Sequence, residues 1–225
     1  MYIIVIIIII GIIVYMKRKQ YTTPILFNTE QETITHLLND SDGFVKSLNQ
    51  WDLFARHVSS IDEYFALIKS SCSTFTDDEK KKLTQACEQA DAIFTKRGDL
   101  SIASIPWKLS KILDSYEEGY PHTRSGVIMI PGVVDVKTLV HEKVHLKEKM
   151  NPPNLEALGY KRIGVRKGTY RLRSNPDVDE YIYLNPVSKQ AMVALYTSDR
   201  PNSIGEVNVP HELEHPYEYL AYTYI

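Results

Sequence analysis

Apolar positions recur with the spacing of amphipathic helices through the first half of the chain, from Thr29 to about Lys96. In these segments apolar residues fall at i, i+3 and i+4, and polar or glycine-containing stretches separate one segment from the next. Ser60 and Thr76 stand where N-caps are expected, and Gly98 ends the last segment. The pattern predicts helices in four segments: 29–40, 45–58, 60–72 and 76–98.

Shorter apolar runs replace this pattern in the second half of the chain. GVIMIP (126–131) is bounded by Gly and Pro and predicts a strand, and AMVALYTS (191–198) is a further strand candidate. YRLRSNPDVDEYIYLN (170–185) alternates apolar and polar positions on both sides of an NPD turn, which predicts a hairpin. Because helices precede strands, we predict an α+β fold with a helical region at 20–104 and a second, catalytic region at 105–225.

The N-terminus has a pattern of its own. YIIVIIIIIGIIVYM (2–16) contains no charge and is followed at once by Lys17–Lys19. A helix of this run spans about 22 Å, short of a hydrocarbon core of about 30 Å. The positive charges follow the run and no small-residue cleavage site is present, which argues against a secretory signal. We predict a single-pass membrane anchor and basic flank at 1–19, with the remainder in the cytosol; the alternative is a buried core strand.

Composition narrows the function classes. A chain of 225 residues that is 44% hydrophobic and 24% charged is typical of a globular protein. Its net charge of −2 provides no basic field for nucleic acid, so nucleic acid is not a predicted partner. Cys72 and Cys87 are too few for a disulfide framework and are predicted to be reduced and packed on helices.

Two five-residue stretches match the zinc-peptidase pattern H-E-x-x-H: HEKVH (141–145) and HELEH (211–215). The chemistry needs two imidazoles on one helical face to bind the ion and a Glu beside the first to accept a proton from water. The first stretch lies in a predicted helix that begins after Asp135 and ends at Asn151, with its lysines and Glu148 on the solvent face. Proline residues on both sides of the second stretch exclude a helix of useful length there.

A third protein ligand is expected because catalytic zinc takes three. PYEYLAYTYI (216–225) predicts a short C-terminal helix with Pro216 at its first position and His215 before it in the cap region, and this helix carries Glu218. Leu220, Ala221 and Tyr224 are available for packing. Glu156 is the alternative ligand, since Glu212 and Glu214 lie in the stretch fenced by prolines.

TLVHEKVH (138–145) and HPYEYLAY (215–222) resemble the gluzincin zinc peptidases, which combine H-E-x-x-H with a distal Glu. A longer similarity, spanning about residues 116–222, is to a little-characterised set of H-E-x-x-H proteins, often from large DNA viruses. The resemblance implies a zinc metallopeptidase acting on a peptide or protein substrate. It assigns His141, His145 and Glu218 as ligands of one Zn²⁺ and Glu142 as the general base.

Other assignments stay open at the level of sequence. An additional donor for the anionic intermediate is expected near the second motif, with His215 or His211 preferred over Tyr219 and Tyr222; the alternative is a histidine that only supports the ligands. GVIMIP is either a substrate-binding edge strand or an ordinary core strand. Metal binding is predicted to be lost in His141→Ala and His145→Ala and kept in His211→Ala.

Two rival functions remain beside the membrane-anchored peptidase. One is an inactive, zinc-stabilised, membrane-anchored structural protein, for which a virion membrane is a suitable location. The other is a zinc hydrolase that cleaves an amide other than a peptide bond, because the same chemistry serves many carbonyls.

Overall fold

The computed structural model of this protein describes residues 23–225. Within this range the α-helices are α1 Glu30–Asn39, α2 Phe44–Ser47, α3 Gln50–Ala55, α4 Ile61–Ser70, α5 Asp77–Arg97, α6 Leu100–Ala103, α7 Val136–Met150 and α8 Pro216–Tyr222. The strands are β1 Ile25–Phe27, β2 Cys72–Ser73, β3 Trp107–Ile112, β4 His122–Arg124, β5 Val127–Ile130, β6 Lys161–Val165, β7 Tyr181–Leu184 and β8 Ala191–Met192. Single 3₁₀ turns occur at Glu117–Gly119 and His211–Leu213.

The larger sheet has the strand order β1-β3-β5-β4, and β2 pairs with the far end of β3. Strand β3 runs parallel to β1 and β5, whereas β4 is antiparallel to β5. The fold is α+β, but the predicted division into helices first and strands later is wrong, because β1 and β2 come from the region predicted to be helical. These strands have three and two residues, too few to produce a recognisable period.

The predicted membrane-spanning helix is also corrected. Among residues 23–225 no helix is both long and apolar enough to cross a bilayer. The longest of them, α5, has 21 residues but carries charged side chains along its length. Residues 1–19, to which the anchor was assigned, lie outside the described residues, so the fold as described contains no such element.

The main core lies between the larger sheet and the helices α5 and α7. It combines side chains from both sides of residue 104, such as Leu83 and Phe94 of α5 with Leu109 of β3 and Val140 of α7. Helix α5 is well delimited: the Thr76 side chain accepts from the backbone N–H of Glu79, and Gly98 ends the helix with φ +87°. The regions 20–104 and 105–225 therefore contribute to one core among the described residues, and that core positions α7.

Strand β5 is the predicted GVIMIP strand, and the structure decides between its two interpretations. Its four residues are buried, with β3 paired on one side and β4 on the other. Because β5 is hydrogen-bonded to a neighbouring strand along both of its edges, it has no free backbone edge to which a substrate could pair. The edge-strand interpretation is wrong, and GVIMIP is a central core strand.

A second sheet, of order β6-β7-β8, is antiparallel throughout. The predicted hairpin within 170–185 is wrong, because β7 pairs with Lys161–Val165 and Leu172 instead forms an isolated bridge with Leu195. The intervening segment 173–179 is a loop whose polar side chains reach several distant elements. Tyr183 and Met192 of this sheet pack against Tyr217 of α8, which ties the second sheet to the C-terminal helix.

Candidate metal centre

Helix α7 carries the first H-E-x-x-H motif and forms where the sequence predicts it. The Asp135 side chain accepts a hydrogen bond of 2.7 Å from the backbone N–H of Thr138, and Asn151 is the C-cap. Burying an aliphatic side chain contributes about 1.5–3 kcal/mol, so the apolar face fixes how the helix is rotated about its axis. Four side chains form that face in the main core: Leu139, Val140, Val144 and Leu146.

Two charged residues of α7 that were predicted to face solvent are buried instead. Lys143 is fully buried, hydrogen-bonded to Asp91 and to the carbonyl of Ala103, with its Nζ 4.2 Å from the ring centre of Trp107. Glu148 is 4% exposed. The prediction failed because α7 is covered on more than its apolar face, and burial of these charges is offset by paired partners.

The two histidines of the motif meet the carboxylate of Glu218 at one point. His141 Nε2 and His145 Nε2 are 3.0 Å apart, and Glu218 Oε2 lies 3.2 Å from the first and 3.5 Å from the second. His145 and Glu218 are fully buried, and His141 is 8% exposed. We call these three side chains the ligand cluster.

The spacing in the ligand cluster is that of groups bound to one ion. Tetrahedral coordination with bonds of about 2.0–2.1 Å sets neighbouring ligand atoms about 3.3 Å apart, and the three measured separations of 3.0, 3.2 and 3.5 Å bracket that value. Among residues 23–225 no donor is aligned to hydrogen-bond Glu218 Oε2, although the atom is buried. A buried carboxylate oxygen is costly without a partner, so the donor set fits a metal ion at this point.

Helix α8 delivers Glu218 to this position, as the sequence predicts. His215 is extended, with φ −157° and ψ 152°, and caps the helix, while Pro216 occupies its first turn. Ala221 lies in the main core, and Tyr217 packs against the second sheet. Packing on two sides leaves the face that carries Glu218 directed at α7. The proline-fenced motif 211–215 does not form an α-helix, in agreement with its assignment as unsuitable for a zinc helix.

Glu142 lies beside the ligand cluster but is held by a different partner. The hydroxyl of Thr123 on β4 donates to Glu142 Oε2 over 3.1 Å, and Glu142 is 3% exposed. Burial, then the charge of Asp177, raises the pKa of this carboxyl in the metal-free protein. A carboxyl with a raised pKa next to candidate metal ligands is suited to accept and return a proton.

A second set of side chains orients the ligand cluster through hydrogen bonds to the atoms of His145 and Glu218 that do not face the other ligands. His145 Nδ1–H donates to Glu148 Oε2 over 2.8 Å, which leaves Nε2 free to bind an ion. Asn175 Nδ2 donates to the other oxygen of Glu218, Oε1, over 2.8 Å. The Asn175 amide is itself fixed, because its Oδ1 accepts from the backbone N–H of Asp177 over 2.8 Å.

The loop 173–179 supplies several supports at once. Arg173 pairs with Glu214, and Asp177 accepts from the backbone N–H of Thr123 over 2.8 Å. Asp179 accepts from His215 Nε2 over 3.1 Å. The loop thus joins β4 to both ends of the second motif, and sequence reasoning, which read it as a turn, did not find this role.

The two histidines of the second motif have separate positions. His215 is committed to structure, since its Nδ1 accepts from the backbone N–H of Tyr217 over 3.1 Å and its Nε2 donates to Asp179. The structure therefore does not bring His215 to the ligand cluster as a catalytic donor, which corrects its predicted role. His211 is the histidine of this motif that reaches the cluster, with its Nδ1 3.2 Å from Glu218 Oε2. The ring of Tyr222 lies 4.8 Å from that of His141.

The electrostatics of the ligand cluster favour a cation. Burial acts to lower the pKa of His145, but the charges of Glu218 and Asp177 outweigh it and raise that pKa well above its usual value. Burial acts to raise the pKa of Glu218, yet His211 and His145 hold it well below its usual value. The carboxylates of Glu218 and Asp177 thus place negative charge close to His145, which suits the binding of a divalent cation.

Replacing Asn175 with alanine should weaken zinc binding about tenfold, as expected for loss of a partner that orients a ligand. Competition with a chromogenic chelator measures the affinity. Asn202→Ala changes an exposed asparagine and should leave the affinity unchanged. Equal affinities in the two variants would mean that Asn175 does not orient Glu218.

Comparison of the chain with protein-family models, with curated proteins and with solved structures found no match. No family is therefore assigned by similarity. The resemblance to the gluzincins stays a prediction that rests on the motif residues themselves.

Proposed function

We propose that this chain is a zinc-dependent metallopeptidase of gluzincin type, with His141, His145 and Glu218 as ligands. The observation that supports it best is the convergence of three ligand atoms, 3.0 to 3.5 Å apart, from two helices far apart in sequence. Glu142 lies beside them on the same helix, which is the arrangement that zinc hydrolysis requires.

Each residue has a distinct task in this mechanism. A bound zinc ion supplies a Lewis acid that polarises the substrate carbonyl and acidifies a water molecule. Glu142 accepts the proton from that water at Oε1 or Oε2 and returns it to the leaving amine. Thr123 orients the Glu142 carboxylate through its hydroxyl. Glu148 and Asn175 keep His145 and Glu218 in place.

The substrate has to approach from the side of His211 and Tyr222. These side chains are 40% and 39% exposed, whereas the ligand cluster is buried. The outer edge of β4 is closed at Thr123, whose backbone N–H donates to Asp177 and whose carbonyl accepts from Lys149. Addition of a peptide as an extra strand at that point would displace both contacts.

The test combines metal analysis with a peptide library. The purified full chain should bind one zinc ion per molecule and cleave peptides, with cleavage stopped by a chelator and restored by added zinc. His141→Ala and His145→Ala should lose the metal and the activity together. A protein that binds zinc but cleaves no peptide would favour the inactive structural role, and one that binds no zinc would refute the proposal.

A further inference from the structure

His211 stands against the ligand cluster although it belongs to the second motif. Its Nδ1 is 3.2 Å from Glu218 Oε2, the same oxygen that faces both histidines of α7. The His211 side chain is 40% exposed, in contrast to the buried Glu218. Since Oε2 has no aligned hydrogen-bond donor, His211 is close to this atom without forming a good hydrogen bond with it.

The separation of 3.2 Å between His211 Nδ1 and Glu218 Oε2 matches the spacing inside the ligand cluster. Ligand atoms on one tetrahedral ion lie about 3.3 Å apart. His141, His211 and Glu218 each offer an atom within 4.8 Å of the other two. His211 therefore lies at ligand spacing from Glu218 and within 4.8 Å of His141.

The other ring nitrogen of His211, Nε2, faces Asn175 and Glu214. Asn175 Nδ2 donates to Nε2 over 3.4 Å, and Glu214 Oε2 lies 4.0 Å away. Binding of a metal at Nδ1 would put the proton on Nε2, so the contact with Asn175 would give way to one with Glu214 after a shift of about 1 Å. His145 shows this arrangement: its Nε2 faces the ligand cluster and its Nδ1 is hydrogen-bonded to the carboxylate of Glu148.

The local chain holds His211 in this place. Glu214, three residues later, is fully buried and paired with Arg166 and Arg173. The backbone N–H of Glu214 donates to the carbonyl of His211 over 3.1 Å, closing a tight turn. The buried carboxylate thus anchors the turn, whereas the His211 side chain is 40% exposed.

We propose that His211 is a fourth protein ligand in the resting protein and closes the metal site until its side chain moves outward. This inference rests on the zinc site proposed above and adds its regulation. Closed sites with four protein ligands are typical of structural zinc, whereas catalytic sites keep one position open. Movement of His211 away from the metal would convert the closed, four-ligand site into an open, catalytic one.

The inference changes the expectation, drawn from sequence, that metal binding is independent of His211. His211→Asn should weaken zinc binding about tenfold or more, since even the loss of a supporting partner costs about 10–100-fold. The matched control is His57→Asn, an exposed histidine at φ +55°, a conformation that Asn tolerates. Chelator competition on the full chain measures all three affinities, and metal-free melting temperatures show that the variants fold.

A small hydroxamate distinguishes a closed site from an open one. With cobalt in place of zinc, acetohydroxamate should change the visible spectrum of His211→Asn at a concentration about tenfold lower than for the wild type. Equal zinc affinity in wild type and His211→Asn, or equal hydroxamate affinity, would overturn the fourth-ligand inference while leaving the proposed function intact. A wild type that binds no zinc would overturn both.

Discussion

Replacing Glu142 with glutamine should lower peptide hydrolysis by about 10²–10⁴-fold, the usual contribution of a positioned general base. Glutamine has the same shape and can still accept the hydrogen bond from Thr123 through its amide oxygen, but it cannot take a proton from water. The three ligand atoms do not include Glu142, so zinc affinity should stay within a few-fold of wild type. Initial rates at saturating zinc and chelator competition measure the two quantities.

Glu156→Gln is the matched control for Glu142→Gln, because it makes the same substitution at an exposed site. It should leave both rate and affinity unchanged. Full activity in Glu142→Gln would place the general base elsewhere. Loss of zinc in that variant would instead make Glu142 a ligand, and the assignment of Glu218 would then need revision.

The parts of the site that the sequence predicted are those with local signals. Asp135 and Asn151 delimit α7, and Pro216 starts α8, because caps and prolines act within a few residues. The position of Glu218 followed from these boundaries. Its approach to His141, 77 residues earlier, followed only from the requirement that zinc has a third ligand.

The parts that the sequence did not predict depend on distant pairing. Strand β1 pairs with β3 in the register Ile25 with Trp107, and no local pattern encodes a contact across that separation. The hairpin error has the same origin, since the alternation around Tyr181 was real but its partner was β6. Asn175 and Glu148 were missed because hydrogen bonds to a ligand leave no periodic trace in the sequence.

The sequence placed His215 directly before Pro216, in the cap region of α8, and also preferred it as a catalytic donor. A residue in that position is the N-cap, and its side chain is expected to bind the free N–H groups there. His215 does this with the backbone N–H of Tyr217. The cap and the donor role compete for the same ring, and the capping contact leaves His211 as the histidine of this motif beside the ligand cluster.

The second motif, 211–215, thus makes structural contacts around α8 and does not form a zinc-binding helix like the first motif. Its carboxylate Glu214 is buried against Arg166 and Arg173, its last histidine caps α8, and its first stands beside Glu218. The contacts of Glu214 and His215 fix the chain at the start of the helix that carries Glu218. The two motifs have the same sequence pattern but different structures, because Pro210 and Pro216 flank the second motif and prevent it from forming an α-helix.

Replacing Glu218 with alanine should weaken zinc binding at least about 100-fold, more than the loss of a supporting residue. The carboxylate is the only anionic group among the three proposed ligands, and alanine offers no atom that could bind the ion. Removal of residues 218–225 should abolish both zinc binding and peptide hydrolysis. It also removes Ala221 from the main core and the contact of Tyr224 with Phe94, whose ring centres are 5.7 Å apart.

Two further variants separate loss of the ligand from loss of packing. Glu218→Gln keeps the volume and the acceptor for Asn175, so it should fold like the wild type yet bind zinc about as weakly as Glu218→Ala. Removal of only residues 223–225 keeps Glu218 and should keep zinc, although it loses the contact of Arg97 with Tyr224. Tight zinc binding by Glu218→Gln and by the protein without residues 218–225 would exclude Glu218 as the third ligand. Asp177, which offers an atom within 4.8 Å of His145, would be the next residue to replace.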